Sequence, residues 1–328
     1  MPPSSTTRSG LAIALLSAAT FGMAGALATP LLRAGWTPGA VVLVRVGVAA
    51  VVLAVPAAIL LRRSWRLDRR ASVYLIAYGL TAIAGAQLCF FSAVQYLPVG
   101  VALLLEYLAP VLLIGWRWWR TRLRPRTAVL LGAGIAMLGM VGVLDLLGPI
   151  SIHPLGVAYG LGAALCLCCY FVLSEQQREP VPAVAVAAGG TAVGAIAIAL
   201  AGLVGVLPMR FVAADVTLRG VDVAWWVPAG LLILVSCVVA YLTGIVAVRR
   251  LGSQNASFVA LTEVLFAVVA AVVLINQTPT VTQLVGGVLV LAGIVCVQRF
   301  GTPTQSGTPA GPLVATTPPA PAGTGAPR

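Results

Sequence analysis

The chain has no lysine. All 20 of its basic residues are arginine, set against 8 acids and a single histidine, His153. Charge of either sign is scarce, at 9% of residues, where soluble domains average roughly 25%. Each shortage removes a class of chemistry. Without lysine there is no G-x-x-x-x-G-K-[ST] phosphate loop, so this chain alone cannot pump with ATP. One histidine leaves no H-E-x-x-H zinc site, and no G-x-S-x-G nucleophile elbow occurs. The cysteines Cys89, Cys166, Cys168, Cys169, Cys237 and Cys296 all fall in apolar segments. Cys166, Cys168 and Cys169 fan over different helix faces, whereas a structural zinc site needs four convergent ligands. They read as small packing residues. No cofactor and no metal is implied.

What fills the chain is hydrocarbon. It is 60% hydrophobic, with a mean hydropathy of +1.04. Apolar windows of about 18 or more residues recur, which marks transmembrane helices. Ten are expected: 10–29, 38–61, 71–95, 97–118, 127–145, 154–174, 183–207, 223–247, 254–275 and 281–298. Tyr96-Leu97-Pro98 separates the third from the fourth, because a proline has no N–H to donate backward. Only Arg8 precedes the first run and no convincing A-x-A site follows, so it reads as a retained helix rather than a signal peptide. Residues 1–9 form a short N-terminal segment. Residues 301–328 are rich in Pro, Gly, Thr and Ala without periodicity, and are expected to be a disordered tail.

A net charge of +12 would suit nucleic acid, but the arginine positions point elsewhere. Arg62, Arg63, Arg66, Arg69 and Arg70 lie between helices two and three, and Arg117, Arg120, Arg122, Arg124 and Arg126 between four and five. Arg178, Arg249 and Arg250 share that side, while only Arg33, Arg210 and Arg219 occupy the other. This is the positive-inside pattern, which puts both termini in the cytoplasm and the arginines among lipid head groups. Trp65, Trp116, Trp118, Trp119, Trp225 and Trp226 cluster near helix ends and read as interface-belt residues, as does Trp36. The partner is a lipid bilayer, with no role for nucleic acid.

The chain also repeats itself. At an offset of 154 the halves run in register from helix three onward, aligning Pro125 with Pro279, Gly132 with Gly286 and Gly139 with Gly293. Gly132 and Gly139 are seven apart, on one helix face, where small residues let backbones approach. The two units are 10–145 and 154–298. Five helices per unit is an odd number, so the second copy must cross in the opposite sense. The expected fold is therefore an all-α integral membrane protein with ten transmembrane helices as two inverted five-helix repeats. Inverted repeats are common in secondary transporters, which bind substrate near the midplane.

Arg45 in helix two, LPVGVALLLEYLAPVL at 97–112, LGSQNASFVALTEVLF at 251–266 and QLVGGVLVLAGIV at 283–295 together resemble the EamA branch of the drug/metabolite transporter superfamily. The resemblance covers residues from about 10 to 300. It implies a plasma-membrane carrier, often an exporter, for metabolites, amino-acid-like compounds or drugs. Family members often carry Leu-x-Glu-Pro in helix nine. Here Leu261-Thr262-Glu263-Val264 keeps the acid and loses the proline, while in helix four Pro110 is present with the acid one turn earlier.

The candidate site follows from depth. Glu106 lies about 13 Å into helix four and Arg45 about 10 Å into helix two, at 1.5 Å per residue, near the centre of a ~30 Å core. Glu263 reaches a similar level in helix nine. A charge there costs at least about 2.5–3.5 kcal/mol and should face a protein interior or a wet cavity. Arg45 and Glu106 are expected to be neighbours across that cavity, either binding a charged small-molecule substrate or forming a structural ion pair. Either acid could also carry protons as coupling ion, and with Arg45 beside Glu106, Glu263 is the better candidate. Gln87 and Tyr241 match at the offset of 154 and, with Tyr170, are further substrate-binding candidates; interhelical bonding and aromatic packing are equally open to them. A receptor or scaffold that moves nothing would fit the spans but leaves the duplication and the midplane charges without a reason. A membrane-embedded enzyme lacks its motifs.

Overall fold

The computed structural model describes residues 5–63, 68–97, 99–144, 146, 153–175, 181–218, 220–276 and 278–300. The tail expected at 301–328, the Pro98 break, Trp65, Arg66, Arg178 and Arg219 lie outside them. The described chain is mainly helical. Its helices are α1 (Ser5–Arg33), α2 (Pro38–Arg63), α3 (Arg69–Val94), α4a (Val99–Glu106), α4b (Ala109–Thr121) and α5 (Thr127–Val143). They continue with α6 (Pro154–Glu175), α7 (Ala183–Leu203), α8 (Trp226–Leu251), α9a (Ser253–Ala260), α9b (Thr262–Ile275) and α10 (Val281–Phe300). Counting α4 and α9 as single spans, nine described helices are long and apolar enough to cross a membrane. The remaining one, α5, is apolar but has only 17 residues.

Helix α1 starts at Ser5, within the short N-terminal segment 1–9. One correction concerns the all-α expectation. Val216–Leu218 and Val221–Val223 form a two-stranded antiparallel hairpin (β1 and β2) between α7 and α8. The local sequence explains it: Val-Thr-Leu and Val-Asp-Val alternate apolar with polar, and Gly220 takes a φ of +79° in the turn that L side chains rarely adopt. The Thr217 hydroxyl donates to Asp222 Oδ1 at 2.8 Å across the pair.

The segment leading into the hairpin folds over the α1–α2 corner. Thr37 N donates to the Arg210 carbonyl at 3.1 Å, and the Thr37 hydroxyl donates to the Pro208 carbonyl at 2.7 Å. Trp36 Nε1 donates to the Val212 carbonyl at 2.6 Å. Phe211 and Trp225 stack around the same indole at 5.5 and 5.7 Å. Trp36 is thus only 6% exposed and is no belt residue, because the α7–α8 segment covers it. Trp118, Trp119 and Trp226 are exposed, as a lipid interface requires.

The backbone repeats along with the sequence. A π-helical stretch interrupts α3 at Gly79–Gly85 and α8 at Leu234–Val239, one offset of 154 apart to within a residue. Helix four breaks after Glu106 and helix nine after Ala260. The caps at Arg122 and Asn276, again 154 apart, both turn left-handed, with φ of 58° and 54°. The two breaks have different chemistry. In α4, Pro110 has no N–H to give the Glu106 carbonyl, so the ladder must open there. In α9 the missing proline does not prevent a break. Leu261 N bonds the Phe258 carbonyl at 3.1 Å in a tighter turn, and the Thr262 hydroxyl donates to the Val259 carbonyl at 2.7 Å. A threonine bonding back in this way bends a helix.

Helices α5 and α10 pack against each other with their glycines in contact. A Cβ on Gly132 would sit 2.9 Å from the Gly293 carbonyl oxygen, and one on Gly139 would sit 2.7 Å from that of Gly286. Ascending residue numbers on one helix meet descending numbers on the other, so the pair is antiparallel. The remaining helices bury a larger core around Val46, Ile83, Phe171, Val186 and Ile245.

Candidate functional site

The bundle has two unlike ends. At one, Arg250 Nη1 donates to Ser9 Oγ at 3.0 Å, Arg249 Nη2 to the Val181 carbonyl at 2.6 Å and the Tyr74 hydroxyl to the Leu173 carbonyl at 2.7 Å. At the other lie the Trp36 cluster and a stack of Tyr96 on His153 with ring centres 4.9 Å apart. A cavity of about 780 Å³ runs into the bundle. It reaches Leu32, Pro38, Val94, Leu144, Pro279 and Gln283 at the Trp36 end. Toward the arginine-rich end its lining includes Ala14, Val248 and Ala256, all buried.

Arg45, Gln87, Glu106, Tyr170, Tyr241 and Glu263 all line this one cavity. They come from α2, α3, α4a, α6, α8 and α9b, so six separate helices converge on it. Both carboxylates flank a helix break: Glu106 ends α4a and Glu263 is the second residue of α9b. A helix break at membrane depth is tolerated where it lines a cavity, and here the breaks carry the acids to the cavity wall.

The structural ion pair left open between Arg45 and Glu106 is not formed among the described residues. Arg45 Nε is buried without a hydrogen-bond partner. The guanidinium faces the Tyr241 hydroxyl and the Cys237 thiol on α8, and it lies near enough to Glu106 and Glu263 to interact with both charges. The two acids are also near enough to interact with each other. Helix α2 packs mainly on α7 and also on α8, the helix that carries Tyr241 and Cys237. Tyr241 contacts Phe21 edge-on at 5.1 Å and Tyr170 at 6.3 Å, so the tyrosines form an aromatic floor. The Tyr170 hydroxyl also lies over Gly244, where an added Cβ would press on it and on Ser17 Oγ.

Several lining residues escaped the sequence reading. Tyr107, buried at the α4 break, turns its hydroxyl toward Glu263. The signal was its position beside Glu106, but an aromatic in an apolar run reads as core. Ser17 lines the cavity while its hydroxyl donates to the Ala240 carbonyl at 2.9 Å, at the end of the α8 π-helical stretch. Gln283, a polar residue near the start of α10, gives no sequence signal beyond its amide.

The arrangement places one guanidinium, two carboxylates, two amides, a serine hydroxyl and three phenols on an otherwise apolar cavity. Such a site suits a small charged or amphipathic molecule. It draws on helices from both halves of the chain.

The sequence profile of the EamA-like transporter family matches residues 8–145 and, a second time, residues 154–299. A protein of known crystal structure superposes with a TM-score of 0.71 at 19% identity, over 89% of this chain and 98% of that one. At that identity the likeness concerns the fold. No curated protein matches the sequence at a significant level.

Proposed function

The chain belongs to the EamA-like transporter family, and from that premise we propose that it is a secondary carrier exporting a small metabolite, amino-acid-like compound or drug across the plasma membrane by alternating access. The observation that carries this reading is the cavity itself. It gathers Arg45, Glu106 and Glu263 on one wall built by helices of both halves, and its lining reaches exposed residues such as Leu32 at the Trp36 end.

The ten-helix, inverted-repeat architecture belongs to the same proposal. Helix α5 counts as the tenth span, since 17 residues is the lower limit for crossing hydrocarbon. The α5–α10 contact supports inversion. Gly132 meets Gly293 while their repeat partners, Gly286 and Gly139, meet each other. Antiparallel contact between equivalent positions is what a two-fold axis lying in the membrane plane produces. In this architecture Arg45, Glu106, Glu263, Gln87, Tyr170 and Tyr241 bind the substrate. The arginine-rich end faces the cytoplasm, so both termini lie there and the cavity opens outward.

Untargeted mass spectrometry of the medium tests the function. Cells overproducing the chain should accumulate particular solutes outside, saturably, relative to cells with an empty vector. Identical media would remove export of endogenous metabolites from consideration. Orientation has its own test. In a background with all six cysteines replaced, an impermeant maleimide added to intact cells should label Gln283→Cys and leave Ala14→Cys unmodified. Labelling of Ala14→Cys alone would reverse the topology.

A further inference from the structure

A second concavity, sharing no lining residue with the cavity, lies where the end of α4b meets the end of α6. It is a groove of about 280 Å³ lined by Trp116, Arg117, Arg120, Thr121, Val172 and Glu175. The Arg120 guanidinium sits over the Trp116 ring, 5.3 Å from its centre. The Thr121 hydroxyl is spent on the Arg117 carbonyl at 2.8 Å, which fixes the last turn of the helix. Neither Arg117 nor Arg120 makes an ion pair among the described residues. The neighbouring Trp118 and Trp119 are 49% and 69% exposed, placing this turn at the level where tryptophan meets lipid head groups.

We propose that this groove is a discrete binding site for the head group of an anionic phospholipid, with the Arg117 and Arg120 guanidinium groups holding the phosphodiester. Three features support that ligand. A guanidinium fork matches phosphate oxygens in pairs. The groove carries two guanidinium groups against one carboxylate, Glu175, leaving it net positive. Its walls, Trp116 and Val172, continue the apolar surface of the bundle, on which acyl chains would lie. The cation–π contact pre-orders Arg120, so less freedom is lost when a lipid docks. Glu175 faces the same space and opposes the phosphate, favouring a head group that keeps its anionic end toward the arginines. A bound lipid would clamp α4b, the half-helix just past the Glu106 break, against α6.

Native mass spectrometry tests the site on the full chain extracted from phosphatidylcholine vesicles containing phosphatidylglycerol. The wild type should retain phosphatidylglycerol in preference to phosphatidylcholine. Arg117→Gln/Arg120→Gln should weaken retention at least about tenfold, the loss of one charge-assisted interaction of roughly 1.4 kcal/mol. Arg124→Gln/Arg126→Gln removes the same charge outside the groove and should leave retention near wild type. Glu175→Gln should tighten it, a gain that misfolding cannot imitate. Equal loss in both double variants would reduce the effect to diffuse surface charge and overturn the site. So would equal retention of phosphatidylcholine. Displacement of the lipid by inorganic phosphate at matched ionic strength would assign the groove to a soluble anion and overturn the lipid assignment.

Discussion

Glu106→Gln is expected to leave the protein inserted and folded while cutting solute flux at least about tenfold. The side chain keeps its size, and a neutral amide at membrane depth is cheaper to hold than a carboxylate, so stability should not fall. What disappears is an ionisable carboxyl on the wall of the cavity, within reach of Arg45 and Glu263. A substrate contact to a charged group contributes about 1.5–3 kcal/mol, and each 1.4 kcal/mol is tenfold. The measurement is export into the medium, with variant and wild type matched for membrane protein. Asp222→Asn, on the exposed hairpin, removes a carboxylate remote from the cavity and should transport normally. Flux in Glu106→Gln equal to wild type would sink the site assignment while leaving the carrier reading intact.

The second large effect falls on stability. Gly286→Val and Gly139→Val should each lower the unfolding temperature in detergent, and Gly134→Val should not. A Cβ on Gly286 meets the Val143 amide nitrogen and lies 2.6 Å from the Gly139 carbonyl oxygen; one on Gly139 lies 2.5 Å from Val290 N. These are backbone atoms, which cannot rotate aside, so α5 and α10 must separate. Overpacking of this kind costs typically about 1–3 kcal/mol, and the separation forfeits the close contacts that hold helices together in lipid. Around Gly134, on another face of α5, an added Cβ meets nothing within 4 Å. If all three valine variants melted together, the glycine contact would not be what joins these helices.

The sequence carried most of the helical layout because a membrane span is a length of hydrocarbon and little else. Helix starts at Pro38, Thr127, Pro154, Ala183 and Val281 are where the apolar runs and their prolines or threonines set them. The hairpin escaped because a search for apolar runs passes over eight residues of alternating pattern, although Gly220 marked the turn. Trp36 escaped for a tertiary reason: a segment some 170 residues away covers it. The break in α9 has no proline to mark it, yet Thr262 supplies another way to open the ladder. The six candidate residues could be chosen from polarity and depth alone, and all of them line the cavity. Their pairing could not be chosen so. Depth places Arg45 level with Glu106, but rotation about the α2 axis decides which neighbour its guanidinium meets, and packing of α2 on α7 and α8 sets that rotation.

The two halves share breaks, π-helical stretches and left-handed caps, yet they do not share their charges. One offset of 154 carries Glu106 onto Ala260 and Glu263 onto Ala109, while α7, the counterpart of α2, holds no ionisable residue. In the proposed inverted architecture, two copies of the first half paired alone would hold two arginines facing two glutamates, a self-neutralising set. Two copies of the second half would hold two glutamates with no cation between them. Neither homodimer reproduces the mixture of one guanidinium and two carboxylates. Joining unlike halves in a single polypeptide therefore frees the binding site from the symmetry of its own scaffold.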